Sequence, residues 1–383
     1  MKRIRLVVSA LLVATLAACG GGGDGNQAPA VQYSQMVVFG DSLSDVGTYG
    51  GTSSGTPYGV GLVGGGKYTI NGSGPRNWTE LVAAQLNLPA PCAAETGLSS
   101  SGPLAAFFTA TTDHTDCYDY AQGGSRVTNP IGVANAALLS LSPPNTQGYL
   151  GQLTVPLSTQ IQHHLTAVGG SFSGNELVMV LGGANDVFMN LGQFSADVTT
   201  YVTGGATLDQ AKALASNNAL TAMTTAATDL VGYIKTQMVA KGAKRIAVMT
   251  IPDISVTPYI AGLDVSNPGT ASLVNLMVRT FNTVLTQGLA NTDGVMIVDA
   301  YTASQEEHAD PAHYGLTNVT TPACNLTSPS PNVTGSSLTC TESTLIGGDV
   351  STYLFADGVH PTPYGYKLFA QLVSAKLAAR GWL

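Results

Sequence analysis

Ser42 follows an apolar run, MVVF at 36–39, through Gly40 and Asp41. A serine hydroxyl is a weak nucleophile until a base stands within hydrogen-bond reach. Near the other end of the chain, Asp357 and His360 are spaced three residues apart in DGVH, just before Pro361. An acid and a histidine at that spacing can meet within one turn. The carboxylate then accepts from one ring nitrogen and leaves the other to take a proton from serine. Taken singly, each has an ordinary reading, Ser42 as a helix cap and DGVH as a capped loop. Two further segments could stabilise negative charge. GGAND at 182–186 follows the apolar run LVMVL at 177–181, and the Asn185 amide could donate to a developing oxyanion. Asp186 beside it reads as a helix N-cap or a structural acceptor. DYAQGG at 119–124 carries glycines that let a backbone N–H approach a reacting carbonyl closely.

These groups need a scaffold that brings distant residues to one place. Short apolar runs read as buried strands at 36–39, 119–121, 177–181, 245–250 and 295–298. Between them, helical patterns cover 81–88, 157–165, 208–240, 271–289 and 363–380. Apolar strands separated by helices predict an α/β fold with a mostly parallel sheet covered on both faces. In such a sheet the ligand crevice lies at the carboxyl ends of the strands. Ser42 and Asn185 follow predicted strands, which puts them there. Three stretches, about 50–75, 89–118 and 308–350, read as loop insertions.

The order and spacing of GDSLSD at 40–45, the glycine of 119–124, GAND at 183–186 and DGVH at 357–360 resemble the GDSL, or SGNH, hydrolase family. The motifs cover a few tens of residues, and the strand–helix order is compatible with the family over roughly 35–381. The resemblance implies a three-layer α/β/α sandwich, flavodoxin-like, with a five-stranded parallel sheet. It implies Ser42 as nucleophile, His360 as general base and acid, and Asp357 as the residue that orients it. It further implies an oxyanion hole from the N–H groups of Ser42 and a block-two glycine, with the Asn185 side chain. Gly124 is favoured over Gly123, because it lies five residues after the block's opening residue. That residue is often asparagine in the family and is Asp119 here. The implied reaction is hydrolysis of a carboxylic ester, on a small molecule or a lipid, through an acyl-enzyme. It needs neither metal nor organic cofactor. The family also includes lipases, phospholipases and acyltransferases, which the motifs do not separate. A reading of another class is a catalytically idle hydrolase scaffold serving as a surface binding lipoprotein; a missing triad residue would signal it, and none is missing. Val187 and Phe188 are candidates for the pocket wall. Phe107 and Phe108, in LAAFF at 104–108, could line an acyl pocket, form a lid or belong to the core.

Other groups compete less well. GTSSG at 51–55 matches a nucleophile-elbow pattern around Ser53 but lacks the flanking strand and helix. Glu306, Glu307, His308, Asp310 and His313 lack a metal-binding helix pattern and read as a solvated loop. His163 and His164 read as residues of a surface helix. Five glycosylation sequons, at Asn71, Asn77, Asn318, Asn325 and Asn332, read as chance matches in a bacterial chain.

Composition bounds the setting. The 383 residues are only 10% charged, against roughly 25% in an average soluble domain. The net charge of −8, without a basic stripe, argues against a nucleic-acid partner. Lys2, Arg3 and Arg5 precede an apolar run at 6–16 that is too short to span a bilayer. LAAC at 16–19, then Gly20, resembles a bacterial lipobox. Residues 1–18 are thus expected to be a signal peptide, 19–34 a lipidated cysteine and flexible tether, and 35–383 the hydrolase domain. That reading anchors the protein to a membrane through Cys19. It places it in the cell envelope, at the outer membrane, either periplasmic or surface-exposed. Lipidation of Cys19 leaves four cysteines. In an oxidising compartment the economical pairing is Cys92–Cys117 and Cys324–Cys340.

Overall fold

The computed structural model describes residues 31–74, 76–327 and 332–383. The expected signal peptide and Cys19 lie outside the described residues, as does most of the expected tether. In chain order the elements are β1 (Gln35–Gly40), a ribbon of β2 (Gly50–Ser53) and β3 (Thr56–Gly59), and α1 (Trp78–Gln85). A second ribbon of β4 (Glu95–Leu98) and β5 (Thr109–Asp113) precedes α2 (Leu157–Ala167) and β6 (Glu176–Leu181). Then come α3 (Ala184–Thr203), α4 (Leu208–Tyr233), β7 (Ile246–Met249), α5 (Pro258–Ser266) and α6 (Thr270–Leu289). The chain closes with β8 (Val295–Val298), α7 (Ala300–Ala309) and α8 (Pro363–Ala379).

β1, β6, β7 and β8 form one parallel sheet in the order β1-β6-β7-β8. Every residue of β6 is buried, as a strand covered on both faces requires. Alternate side chains serve opposite cores. Val37, Phe39, Val178, Val180, Ile246 and Val248 pack with α2, α4 and α6. Met36, Val38, Leu177, Met179, Ala247 and Val298 pack with α1 and α8. The result is the three-layer sandwich.

The sheet has four strands, not the five expected. Residues 119–121 do run beside β1: Val38 N–H donates to Tyr118 O, and Tyr120 N–H donates to Val38 O. The next rung needs the Gly40 N–H, which is taken by Gln160 Oε1 of α2 at 2.9 Å. Gln122 N–H still donates to Gly40 O at 3.2 Å, but with the Gly40 N–H diverted the rung is half made and only a single bridge, Val38–Asp119, forms.

Local signals explain several boundaries. α1 starts three residues before the apolar run suggests, because Asn77 and Glu80 form a capping box. α4 ends as an α-helix at Tyr233 and continues as a π-helix, Ile234–Met238, and a 3-10 turn, Val239–Lys241, so helical backbone runs through 240 as expected. α8 is opened by the Thr362 cap with Pro363 in its first turn.

The three insertions pack over the carboxyl end of β1. The first two share a small core of Tyr49, Val60, Tyr68, Leu98 and Phe107, joined by Leu338 of the third. Disulfides Cys92–Cys117 and Cys324–Cys340 close loops with sequence separations of 25 and 16. Three of the sequon asparagines, Asn71, Asn77 and Asn332, are buried. His164 is fully buried, contrary to the surface reading. It sits among the rings of Phe39, Tyr118, Tyr120 and Phe172. Among the described residues no helix is long and apolar enough to cross a membrane.

Candidate active site

At the end of β1 the chain turns sharply. Ser44 and Asp45 N–H groups both donate to Asp41 O, and Leu43 N–H donates to Asp41 Oδ1. This turn lifts Ser42 out of the strand and onto the floor of a cavity of about 480 Å³. Ser42 Oγ lies 2.8 Å from His360 Nε2. His360 Nδ1 lies 2.9 and 2.8 Å from the two oxygens of Asp357. Residues 318 positions apart in sequence thus form one hydrogen-bonded row.

Asp357 is almost completely buried and accepts bonds from three backbone N–H groups: Ser337 at 2.7 Å, Val359 at 2.9 Å and His360 at 2.8 Å. Burial works to raise its pKa. The charge of His360 and the bonds from His360 and Ser337 outweigh it and hold the carboxyl well below the usual carboxylate range. The loop is braced from the third insertion. Cys324 N–H donates to Ala356 O, and Ala356 N–H donates to His360 O. Cys324 is bonded to Cys340, three residues after Ser337.

Asn185 is the second residue of α3, whose N-cap is Gly183 at φ 109°. A Cβ there would come within 2.6 Å of the Phe281 ring, so only glycine fits. Asn185 Nδ2 donates to Ser125 O at 2.9 Å, which uses one of its two protons. The α3 N-terminus also points its positive end toward this corner. Asp186 does not cap the helix. It accepts from Arg126 Nε at 2.9 Å and from Val127 N–H at 2.9 Å, and so clamps the segment that carries Gly124. The two block-two glycines differ. Gly123 N–H is bound to Asp45 Oδ2 at 2.9 Å. Among the described residues, the N–H groups of Gly124 and Ser42 have no acceptor. Gly124 has φ 80°, and a Cβ on it would meet Val133 O at 2.3 Å.

Buried carboxyls underlie the site. Burial pushes Asp41 up to about 7 and Asp45 up to about 6, the latter against bonds from Thr48, Gly47 and Gly123. The Tyr68 ring lies 4.7 Å from the His360 ring, and its hydroxyl is hydrogen-bonded to Gln152. Nothing in the sequence singles out this tyrosine in a glycine-rich insertion. Ser337 is equally hidden, because it acts through its backbone.

The pocket candidates separate. Phe188 lines the cavity and meets Tyr259 edge-on. Val187, one residue earlier, is turned by the helix into the core and is fully buried. Of LAAFF, Leu104 lines the cavity. The run forms a 3-10 turn, Gly102–Phe107, which buries Phe107 in the insertion core and leaves Phe108 63% exposed. Ser53 is exposed at the end of β2. Glu307 is not in a solvated loop but on α7, where it lines the cavity.

A serine–histidine–carboxylate row on the carboxyl edge of a parallel α/β sheet defines a hydrolase-type site. The chain belongs to the GDSL-like lipase/acylhydrolase family, whose model matches residues 36–373. A relative from Pseudomonas putida, described as an uncharacterized protein in the trpE-trpG intergenic region, is 25% identical over 356 residues. The match covers 91% of this chain and 49% of that protein, so the chain spans about half the relative's length. The extracellular lipase from Streptomyces rimosus is a structural neighbour with 15% identity and a TM-score of 0.38. That match covers 89% of this chain and 99% of the lipase.

Proposed function

We propose that this protein hydrolyses carboxylic esters through an acyl-enzyme on Ser42. The observation that carries the reading is the continuous row Asp357–His360–Ser42 facing the cavity. His360 Nε2 accepts the Ser42 proton as Oγ attacks the ester carbonyl. The negative charge that develops on the carbonyl oxygen meets the N–H groups of Ser42 and Gly124 and the second proton of Asn185 Nδ2. Collapse expels the alcohol, to which His360 returns the proton. Water, activated by the same nitrogen, then releases the acid. Ionised Asp357 holds the imidazole in the tautomer this cycle needs. The largely apolar lining, including Leu104, Leu150 and Phe188, suits an acyl chain or another apolar group.

The test is hydrolysis of neutral 4-nitrophenyl esters of graded chain length. Equal amounts of acid and alcohol should appear with the wild type and neither with folded Ser42→Ala. Wild-type release that Ser42→Ala matches would overturn the assignment. LAAC at 16–19 supports a lipid anchor on Cys19 in the cell envelope. Cys19→Ser should abolish lipid labelling and membrane retention; a membrane-bound, lipid-labelled serine variant would refute the anchor.

A further inference from the structure

The cavity extends from Ser42 across the sheet to α7. Ala300, Ala303, Ser304 and Glu307 all line it. Their spacing of three, four and seven residues is one face of a helix, so α7 forms a wall and Glu307 lies farthest along it. Two carboxylates line this arm, and they differ in how they are satisfied. Asp253 is saturated: Oδ1 accepts from Ser255 N–H and Oγ, and Oδ2 accepts from Asn275 Nδ2 and Gln305 Nε2. The Glu307 side chain, on α7, has no hydrogen bond or ion pair with any described residue. Its neighbour Glu306 is turned away and accepts from the Tyr314 hydroxyl at 3.0 Å. No lysine or arginine lines the cavity among the described residues. Glu307 is half-buried, and burial, with Glu306 adding to it, pushes its carboxyl up to about 7. Phe188, Phe355 and Phe369 also line the cavity.

We infer that the α7 arm is a subsite for a cationic group, with Glu307 as its charge-recognising residue. The proposal rests on the ester-hydrolase reading and narrows its substrate class. The preferred substrate carries an amine or quaternary ammonium group at one end and the scissile ester at the other. A weakly hydrated ammonium suits a site that offers one carboxylate and aromatic faces, because cation–π attraction grows as water is excluded. The spacer must be long. β1 and β8 are three strand spacings apart, roughly 14 Å.

Two series of esters test this, one with a trimethylammonium group on the acyl side and one with it on the alcohol side. Spacers are graded from short to long, and each ester has a neutral tert-butyl isostere. For long spacers in one series, kcat/KM should favour the cationic ester by roughly tenfold or more. Glu307→Gln should collapse that ratio toward one. Glu307→Lys should turn the preference toward a terminal carboxylate. A wild-type ratio near one in both series, or a ratio that survives both substitutions, would overturn the subsite. Calorimetric binding of decyltrimethylammonium supplies an independent readout. If no ester is cleaved, the hydrolase reading fails. Binding that weakens tenfold in folded Glu307→Gln would still support the subsite, and binding equal in both proteins would overturn it.

Discussion

Two regions build the candidate site by different means. Ser42 and Asn185 sit within a few residues of β1 and β6, and apolar burial on both sheet faces fixes their backbones. Gly124, Asp357 and His360 sit on loops with no strand beneath them. Polar bonds hold these: Asp186 grips 126–127, Ser337 N–H grips Asp357, and the Cys324–Cys340 segment grips 356. The Ser42 side is thus placed by packing and the Asp357–His360 side by hydrogen bonds and a cross-link. The first tolerates loss of a polar group without moving, whereas the second is vulnerable to it.

The largest effect should come where the two regions meet. Ser42→Ala and His360→Ala should each lower kcat by about 10⁶, and the double variant should lose little more, since the pair acts as a unit. Additive losses in steady-state assays would mean the two regions act separately. Asp357→Asn keeps the packing but offers His360 an amide, and should cost roughly 10⁴ in kcat, as in a well-studied serine protease. A loss under tenfold would remove Asp357 from the role of orienting group. On the packed side, Asn185→Ala should cost roughly 10² to 10³ in kcat while the fold survives. Unchanged kcat would take Asn185 out of the oxyanion site.

The disulfides sharpen the contrast. Replacing either pair with serines should lower stability by about 2–4 kcal/mol. Only Cys324→Ser/Cys340→Ser should also lower kcat at a temperature where both variants remain folded, because only that cross-link braces the His360 loop. Equal kcat in the two variants would refute the bracing. The smallest effect concerns His164. Burial lowers its pKa from 6.5 to about 4. The neutral ring therefore stabilises the fold above about pH 6.5, and this contribution is lost as pH falls toward 4, by up to roughly 3 kcal/mol. His164→Phe should narrow the gap between melting temperatures at pH 5 and pH 8. An unchanged gap would show that His164 does not carry the acid sensitivity.

The same contrast governs what the sequence revealed. Elements placed by packing were legible: 177–181, 271–289 and 295–298 are found within a residue of the observed bounds, because apolar periodicity is the physics that forms them. The resemblance drew attention to Ser42, Asn185 and DGVH through their short motifs. Features set by polar geometry were not legible. The diversion of the Gly40 N–H to Gln160 removes a strand, and no pattern announces it. Asp186 reads as a cap or a structural acceptor; it is the acceptor, and no pattern names its partner Arg126, 60 residues away. Val187 and Phe188 are adjacent in sequence, and only the helix phase decides which one faces the cavity. The α3, α5 and α7 helices were missed as units. α7 has no apolar stripe to betray it, and its wall of small residues acquires meaning only opposite the cavity.

The most direct test of the central claim is covalent labelling by a fluorophosphonate, followed by peptide mapping. The hydrogen-bonded row predicts one adduct, on Ser42, that forms quickly in wild type, slowly in His360→Ala and not at all in Ser42→Ala. An adduct on Ser53 or another residue, or labelling of Ser42 at the same rate without His360, would contradict it.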